Sequence, residues 1–275
     1  MVTVSELLPV EAVRLDVPAA DWREAVRAAG ELMSETGTST DTYTAEMIEN
    51  VEENGPYIVI APGIALAHAR PSPAVQRTGM SWVGLRRPVE FGHESNDPVD
   101  LVVGLAAKDR GAHQSALAEL AGLLADPGTV AALREAPTAE ALRAVLGADT
   151  GPGGDAGPGG DTEPGEGAGQ VAPKAAGGGP AVHKILTVCG NGLGTSLFLK
   201  HTLEQVLQRW GWSAHVTVEA TDTVSAKGKA SEAVAVLTSR EIARTLADVS
   251  VPVRVIEDFT STVEVDGALR DTYDV

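Results

Sequence analysis

Residues 151–180 contain twelve glycines and five prolines and show no hydrophobic periodicity. A stretch of that composition has nothing with which to build a core. A chain of 275 residues interrupted in this way must fold as two units of ordinary size. We expect a flexible linker over residues 147–180, an N-terminal domain over residues 1–146 and a C-terminal domain over residues 181–275. A glycine-rich coil of this length has an r.m.s. span of about 30 Å. Sites on its two sides would meet at an effective concentration on the order of millimolar.

The N-terminal part mixes helical and strand patterns. Residues 20–36 read as a helix with Trp22, Ala25, Val26, Ala29 and Met33 on one face, and residues 41–53 as a second, capped by Thr40 or Asp41. Residues 57–60 and 64–66 read as short strands, and 80–85 and 101–105 as buried ones. Residues 113–124 read as a helix with Leu117, Leu120, Ala121 and Leu124 inward, followed by short helices at 129–133 and 139–146. This is an α/β domain with a mixed sheet. The C-terminal part alternates strand (185–188), helix (195–210), strands (215–220 and 233–237), helix (240–247), strand (251–256) and helix (261–269). Such alternation implies a small parallel sheet with right-handed crossovers.

The single cysteine, Cys189, ends the first strand of that sheet. Gly190, Asn191, Gly192, Leu193, Gly194, Thr195 and Ser196 follow, and then a helix begins. Ligands of parallel sheets bind beyond the carboxyl ends of strands. Free N–H groups of a glycine-rich loop and the positive end of a helix accommodate an oxyanion and lower a thiol pKa. Cys189 thus reads as a thiol built to hold a phosphoryl group. A lone cysteine is more often an inert core residue; the glycine-rich flank reverses that default here.

Composition excludes several classes. A net charge of −17 argues against nucleic acid or anionic lipid as the main partner. No apolar run approaches the roughly 20 residues that span a bilayer, and no basic region suggests a signal peptide, so a cytoplasmic, reducing setting is the simplest expectation. Aromatics make up 4% of the chain, so the cores must be aliphatic.

A second reactive centre is His68, at the end of a short apolar strand and flanked by the small residues Ala67 and Ala69. A satisfied, semi-buried imidazole is the bland reading. His113 opens a helix after strand 101–105, where it could lie beside His68 and offer a positive helix end to a phosphate. His93, His183, His201 and His215 read as structural or exposed.

Residues 53–68, with Ile60-Ala61-Pro62-Gly63-Ile64-Ala65-Leu66-Ala67-His68, resemble the phosphohistidine signature of enzyme IIA of the mannitol/fructose type in the bacterial sugar phosphotransferase system (PTS). Residues 101–108 with His113 resemble that family's second histidine segment, and Gly55-Pro56-Tyr57-Ile58-Val59-Ile60-Ala61-Pro62-Gly63-Ile64-Ala65-Leu66 is closest to the ascorbate branch. The Cys189 segment resembles enzyme IIB of the lactose/galactitol/ascorbate kind. The resemblance covers both domains. Ala67 stands where the family usually has proline. The resemblance implies that the phosphocarrier protein HPr phosphorylates His68, that His113 stabilises the phosphoryl oxygens, and that the group moves to Cys189. There residues 190–196 would cradle it until a sugar on a membrane-embedded IIC permease receives it. Arg70 would neutralise phosphate charge or be an ordinary exposed arginine. Neither a metal nor a cofactor is required. The chain would be cytoplasmic and peripherally associated with the membrane through IIC. Ascorbate is the expected sugar, with galactitol and fructose or mannitol as alternatives.

Two other readings compete. Cysteine phosphatases carry an arginine six residues after the cysteine, and here that position is Thr195, which favours transfer over hydrolysis. A purely regulatory phosphoacceptor would be phosphorylated without onward transfer. The loop lacks the lysine of a phosphate-binding loop and the full dinucleotide fingerprint.

Overall fold

The computed structural model describes residues 3–148, 183–189 and 194–275. Most of the expected linker and residues 190–193 of the cysteine loop lie outside the described residues. The described parts form two α/β units, one on a mixed sheet and one on a parallel sheet.

The first unit contains α1 (Val4–Leu7), β1 (Val13–Val17), α2 (Trp22–Glu35), α3 (Asp41–Asn54), β2 (Val59–Ala61), β3 (Ile64–His68), β4 (Gly79–Val89), β5 (Val99–Ala106), α4 (Arg110–Leu124), α5 (Pro127–Glu135) and α6 (Ala139–Ala148). Helix α6 runs two residues past the expected domain end. The sheet order is β1-β4-β5-β3-β2. Strands β3 and β5 run parallel, with His68 paired to Leu105, and β4 is antiparallel to β5. Because β3 and β5 end at the same edge, the connection after β5 starts α4 next to His68.

The two-residue period of β3 sorts its side chains. Ala65 and Ala67 face a core shared with α2 and α3, including Ala29, Met33, Tyr43 and Met47. Ile64 and Leu66 face the other core, with Leu117 and Leu120 of α4. His68 continues this second set, so its ring points to α4. The turn into β3 is Pro62-Gly63, and Gly63 has φ +78°, a left-handed conformation that a side chain would strain. At Gly104, opposite Ala67, an added Cβ would lie 2.3 Å from Ser81 Oγ, which donates to Ala29 O. Close approach of α2 to the sheet depends on that glycine.

Two details beside His68 differ from the sequence expectation. Residues 57–58 are not strand: Val59 N–H donates to Pro56 O, closing a turn that holds Tyr57. His113 does not open its helix. Asp109 caps α4 through Ala112 N–H, and His113 N–H already donates to Asp109 O. The freest N–H groups of the helix therefore belong to residues 110 and 111.

The second unit contains β6 (His183–Cys189), α7 (Gly194–Arg209), β7 (Val216–Asp222), α8 (Thr223–Lys229), β8 (Ala235–Thr238), α9 (Arg240–Thr245), β9 (Val253–Val255) and α10 (Thr262–Tyr273). All paired strands are parallel, in the order β7-β6-β8-β9. The chain reverses its winding between β6 and β8, the switch point at which such sheets bind ligands, and Cys189 ends β6 there. Leu186 and Val188 face α8 and α9, whereas Ile185 faces the α7 side.

The two units are docked. Helix α4 packs along α7, and one apolar cluster includes Leu117 and Leu120 with Phe198 and Leu199. Phe259 N–H donates at 3.0 Å to Ile60 O on the edge strand β2. Asn96 Nδ2 donates at 2.7 Å to Glu257 O. Glu94 pairs with Arg240 and Arg244 at 3.2 and 3.3 Å. The docked faces are those to which His68 and Cys189 belong. No single helix among the described residues is long and apolar enough to cross a membrane.

Candidate active site

His68 is 6% exposed, and its Nδ1 lies 2.9 Å from Leu66 O. A carbonyl only accepts, so Nδ1 carries the proton and Nε2 carries the lone pair. Burial lowers the His68 pKa, against a smaller upward pull from Leu66 O, so the ring is neutral and nucleophilic near neutral pH. The residues around it hold the main chain in place. Tyr43 Oη accepts from Ala69 N–H and lies within hydrogen-bond distance of the Ala69 and Leu105 carbonyls. Asn50 Nδ2 donates to His68 O at 3.2 Å.

The rings of His68 and His113 are 5.6 Å apart, centre to centre. Burial, and then the proximity of His68, lowers the His113 pKa to about 3, and its buried Nδ1 lacks a hydrogen-bond partner. His113 is thus a neutral ring in the free site. Such a ring presents an N–H dipole instead of a standing positive charge. Tyr57 also flanks His68, its ring edge-on at 6.1 Å. Arg70 is exposed and acts electrostatically on Tyr57.

Cys189 is 3% exposed. Its Sγ lies 3.4 Å from Ser196 Oγ, and Thr187 Oγ1 donates to Ser196 O, fixing the first turn of α7 against β6. Burial pushes the thiol pKa up. Hydrogen bonds from Ser196 (side chain and N–H) and the Thr195 side chain pull it back, and Asp222 adds to the rise. The glycine-rich flank predicts a lowered thiol pKa; the described surroundings give a net rise, because desolvation exceeds the hydrogen bonding. Among the residues expected to cradle a phosphate, Gly194, Thr195 and Ser196 form the start of α7, with Thr195 and Ser196 buried beside the thiol. Gly190, Asn191, Gly192 and Leu193 lie outside the described residues. Tyr57 lies between the two centres: its ring stands beside His68, and the charge of an ionised Cys189 raises its phenol pKa, after the larger effect of burial. Among the described residues no group of three His, Cys, Asp or Glu could hold a metal ion.

The other histidines lie apart. His93 Nδ1 accepts from Ser95 and Asn96 N–H, a local loop role. His183 stacks on Tyr273, His201 lies beside Gln205, and His215 is exposed.

Residues 6–148 match the family "Phosphoenolpyruvate-dependent sugar phosphotransferase system, EIIA 2", and residues 184–271 match "PTS system, Lactose/Cellobiose specific IIB subunit". The chain belongs to the EIIA 2 family of the sugar phosphotransferase system and carries a IIB unit fused behind its IIA unit. It is 39% identical over 129 residues to the ascorbate-specific PTS system EIIA component of Salmonella typhimurium, across 46% of this chain and 84% of that protein. It is 41% identical over 104 residues to the protein of the same name from Escherichia coli K12, across 38% of this chain and 68% of that protein. The solution structure of the mannitol-specific cryptic phosphotransferase enzyme IIA of Escherichia coli aligns at 29% identity with a TM-score of 0.48, covering 52% of this chain and 97% of that one. The chemistry of this class is phosphotransfer by way of histidine and cysteine.

Proposed function

We propose that this chain relays a phosphoryl group from phospho-HPr to His68 Nε2, then to Cys189, and then to a sugar held by a IIC permease at the cytoplasmic face of the membrane. The observation that carries this reading is the locked tautomer of His68, which presents a neutral Nε2 beside His113 and on the docked face shared with Cys189. In the first step Nε2 attacks phosphorus in line, and the ring becomes a phosphoimidazolium whose Nδ1–H stays on Leu66 O. His113 N–H donates to a phosphoryl oxygen, where a preorganised dipole is most effective. In the second step the Cys189 thiolate displaces the imidazole, whose nitrogen recovers its electron pair. Residues 190–196 receive the oxygens through N–H groups and hydroxyls. The chain between the two units lets the second leave the first to meet the permease.

The sugar is ascorbate in this reading, on the names of the IIA relatives. Incubating the chain with phosphoenolpyruvate, enzyme I and HPr and mapping phosphate by mass spectrometry tests the relay. Label is expected on His68 and Cys189, whereas steady phosphate release without an acceptor would point to a phosphatase. Adding permease membranes with ascorbate, galactitol, fructose or mannitol tests the sugar. Label should pass to ascorbate alone.

A further inference from the structure

Tyr57 is one of three tyrosines in the chain and is 5% exposed. Its hydrogen bonding is one-sided. Asn50 Nδ2 donates to Tyr57 Oη, so the phenol oxygen acts as an acceptor there. Asn54 Nδ2 donates to Asn50 Oδ1 at 2.9 Å, which fixes the orientation of the Asn50 amide and leaves its NH2 to serve Tyr57 Oη and His68 O. The phenolic proton itself has no acceptor among the described residues. A buried donor left unmet costs about 1–3 kcal/mol; such an arrangement persists where a ligand supplies the acceptor.

The Tyr57 ring stands edge-on to the His68 ring, with centroids 6.1 Å apart and planes at 79°. His113 approaches the same imidazole separately, at 5.6 Å. We propose that Tyr57 is a further catalytic residue, its O–H donating to the phosphoryl group as that group passes from His68 to Cys189, with Asn50 as its positioning residue. This rests on the relay proposed above. In the step, the thiol proton has passed to water, the Sγ–P bond forms as the Nε2–P bond breaks, and the electron pair returns to the imidazole. The phenol keeps its proton throughout and only donates a hydrogen bond. Its acidity suits that role, since burial and then the Cys189 thiolate push its pKa above the usual phenol value. The donor therefore stays protonated beyond the pH at which an ordinary phenol ionises.

The test is a rapid-quench single turnover of the full chain with phospho-HPr, with each labelled site assigned by mass spectrometry. Tyr57→Phe should load His68 near the wild-type rate and pass the group to Cys189 about 100-fold more slowly, the loss typical of removing one such donor. Transfer in Tyr57→Phe at the wild-type rate would overturn the proposal. A difluorotyrosine placed at position 57 serves if the phenylalanine variant misfolds. Its more acidic phenol should give the transfer rate a basic limb that the wild type lacks, and a flat profile would refute the role. If wild-type protein labels neither His68 nor Cys189, the relay itself fails, an outcome distinct from normal labelling that is indifferent to Tyr57.

Discussion

The imidazole Nδ1 of His68 donates to the carbonyl of Leu66, 2.9 Å away and two residues back on the same strand. The strand thus orients its own terminal residue, and the consequences reach from ring chemistry to acid stability.

His113 provides the clearest pH signature. The unfolded chain takes a proton on this ring near 6.5, whereas the folded protein resists it until about 3. Acid therefore favours unfolding through that window, and stability falls as pH drops from about 6.5 towards 3. His113→Gln should flatten that part of the profile relative to wild type in urea titrations from pH 7 to 4. Parallel profiles for the two proteins would remove His113 as the cause. The variant should also load His68 more slowly.

Ser196→Ala removes a hydrogen bond that favours the Cys189 thiolate. The midpoint of the pH dependence of Cys189 alkylation in the full chain should move upward, and transfer from His68 should slow by about tenfold, in keeping with the loss of a hydrogen bond to a charged group. An unchanged midpoint would show that the thiolate is held from elsewhere.

Gly104→Ala places a methyl group 2.3 Å from Ser81 Oγ, between β5 and α2. Overpacking of this kind costs about 1–3 kcal/mol. A lower urea midpoint with an unchanged m-value is expected, whereas Gly147→Ala, where nothing among the described residues lies within 4 Å of the added atom, should not lower the midpoint.

Asn96→Asp sets a carboxylate against the Glu257 carbonyl that Asn96 Nδ2 now serves at 2.7 Å. The two units should separate, which small-angle scattering would record as a larger radius of gyration. Arg244→Ala removes only an exposed pair with Glu94 and should have little effect, as surface pairs are worth about 0–1 kcal/mol. A compact Asn96→Asp protein would contradict the docking account.

Much of this was legible from one-dimensional patterns. The apolar spacing of α2, the buried runs of β4 and β5, and the alternation of the second unit each follow from burial on one face or two. Strand β1 escaped because Arg14 and Asp16 interrupt a five-residue edge strand that is only half-buried. Helix α8 escaped because its seven residues bury only Ala226 and carry two glycine-flanking lysines at the end of the helix. At the site, His68 and Cys189 announce themselves by ending strands. Tyr57 and Asn50 do not: one sits in a turn, the other on a helix, and only the folded chain brings both to His68. The rarity of tyrosine was the one available signal. The state of the thiol is not legible in the sequence, because a glycine-rich flank shows the donors but not the desolvation.

The most direct test of the relay is the order of labelling in single-site variants exposed to phospho-HPr. Wild type should carry phosphate on both centres, Cys189→Ser on His68 alone, and His68→Ala on neither. Label on Cys189 in the His68→Ala protein would contradict the account.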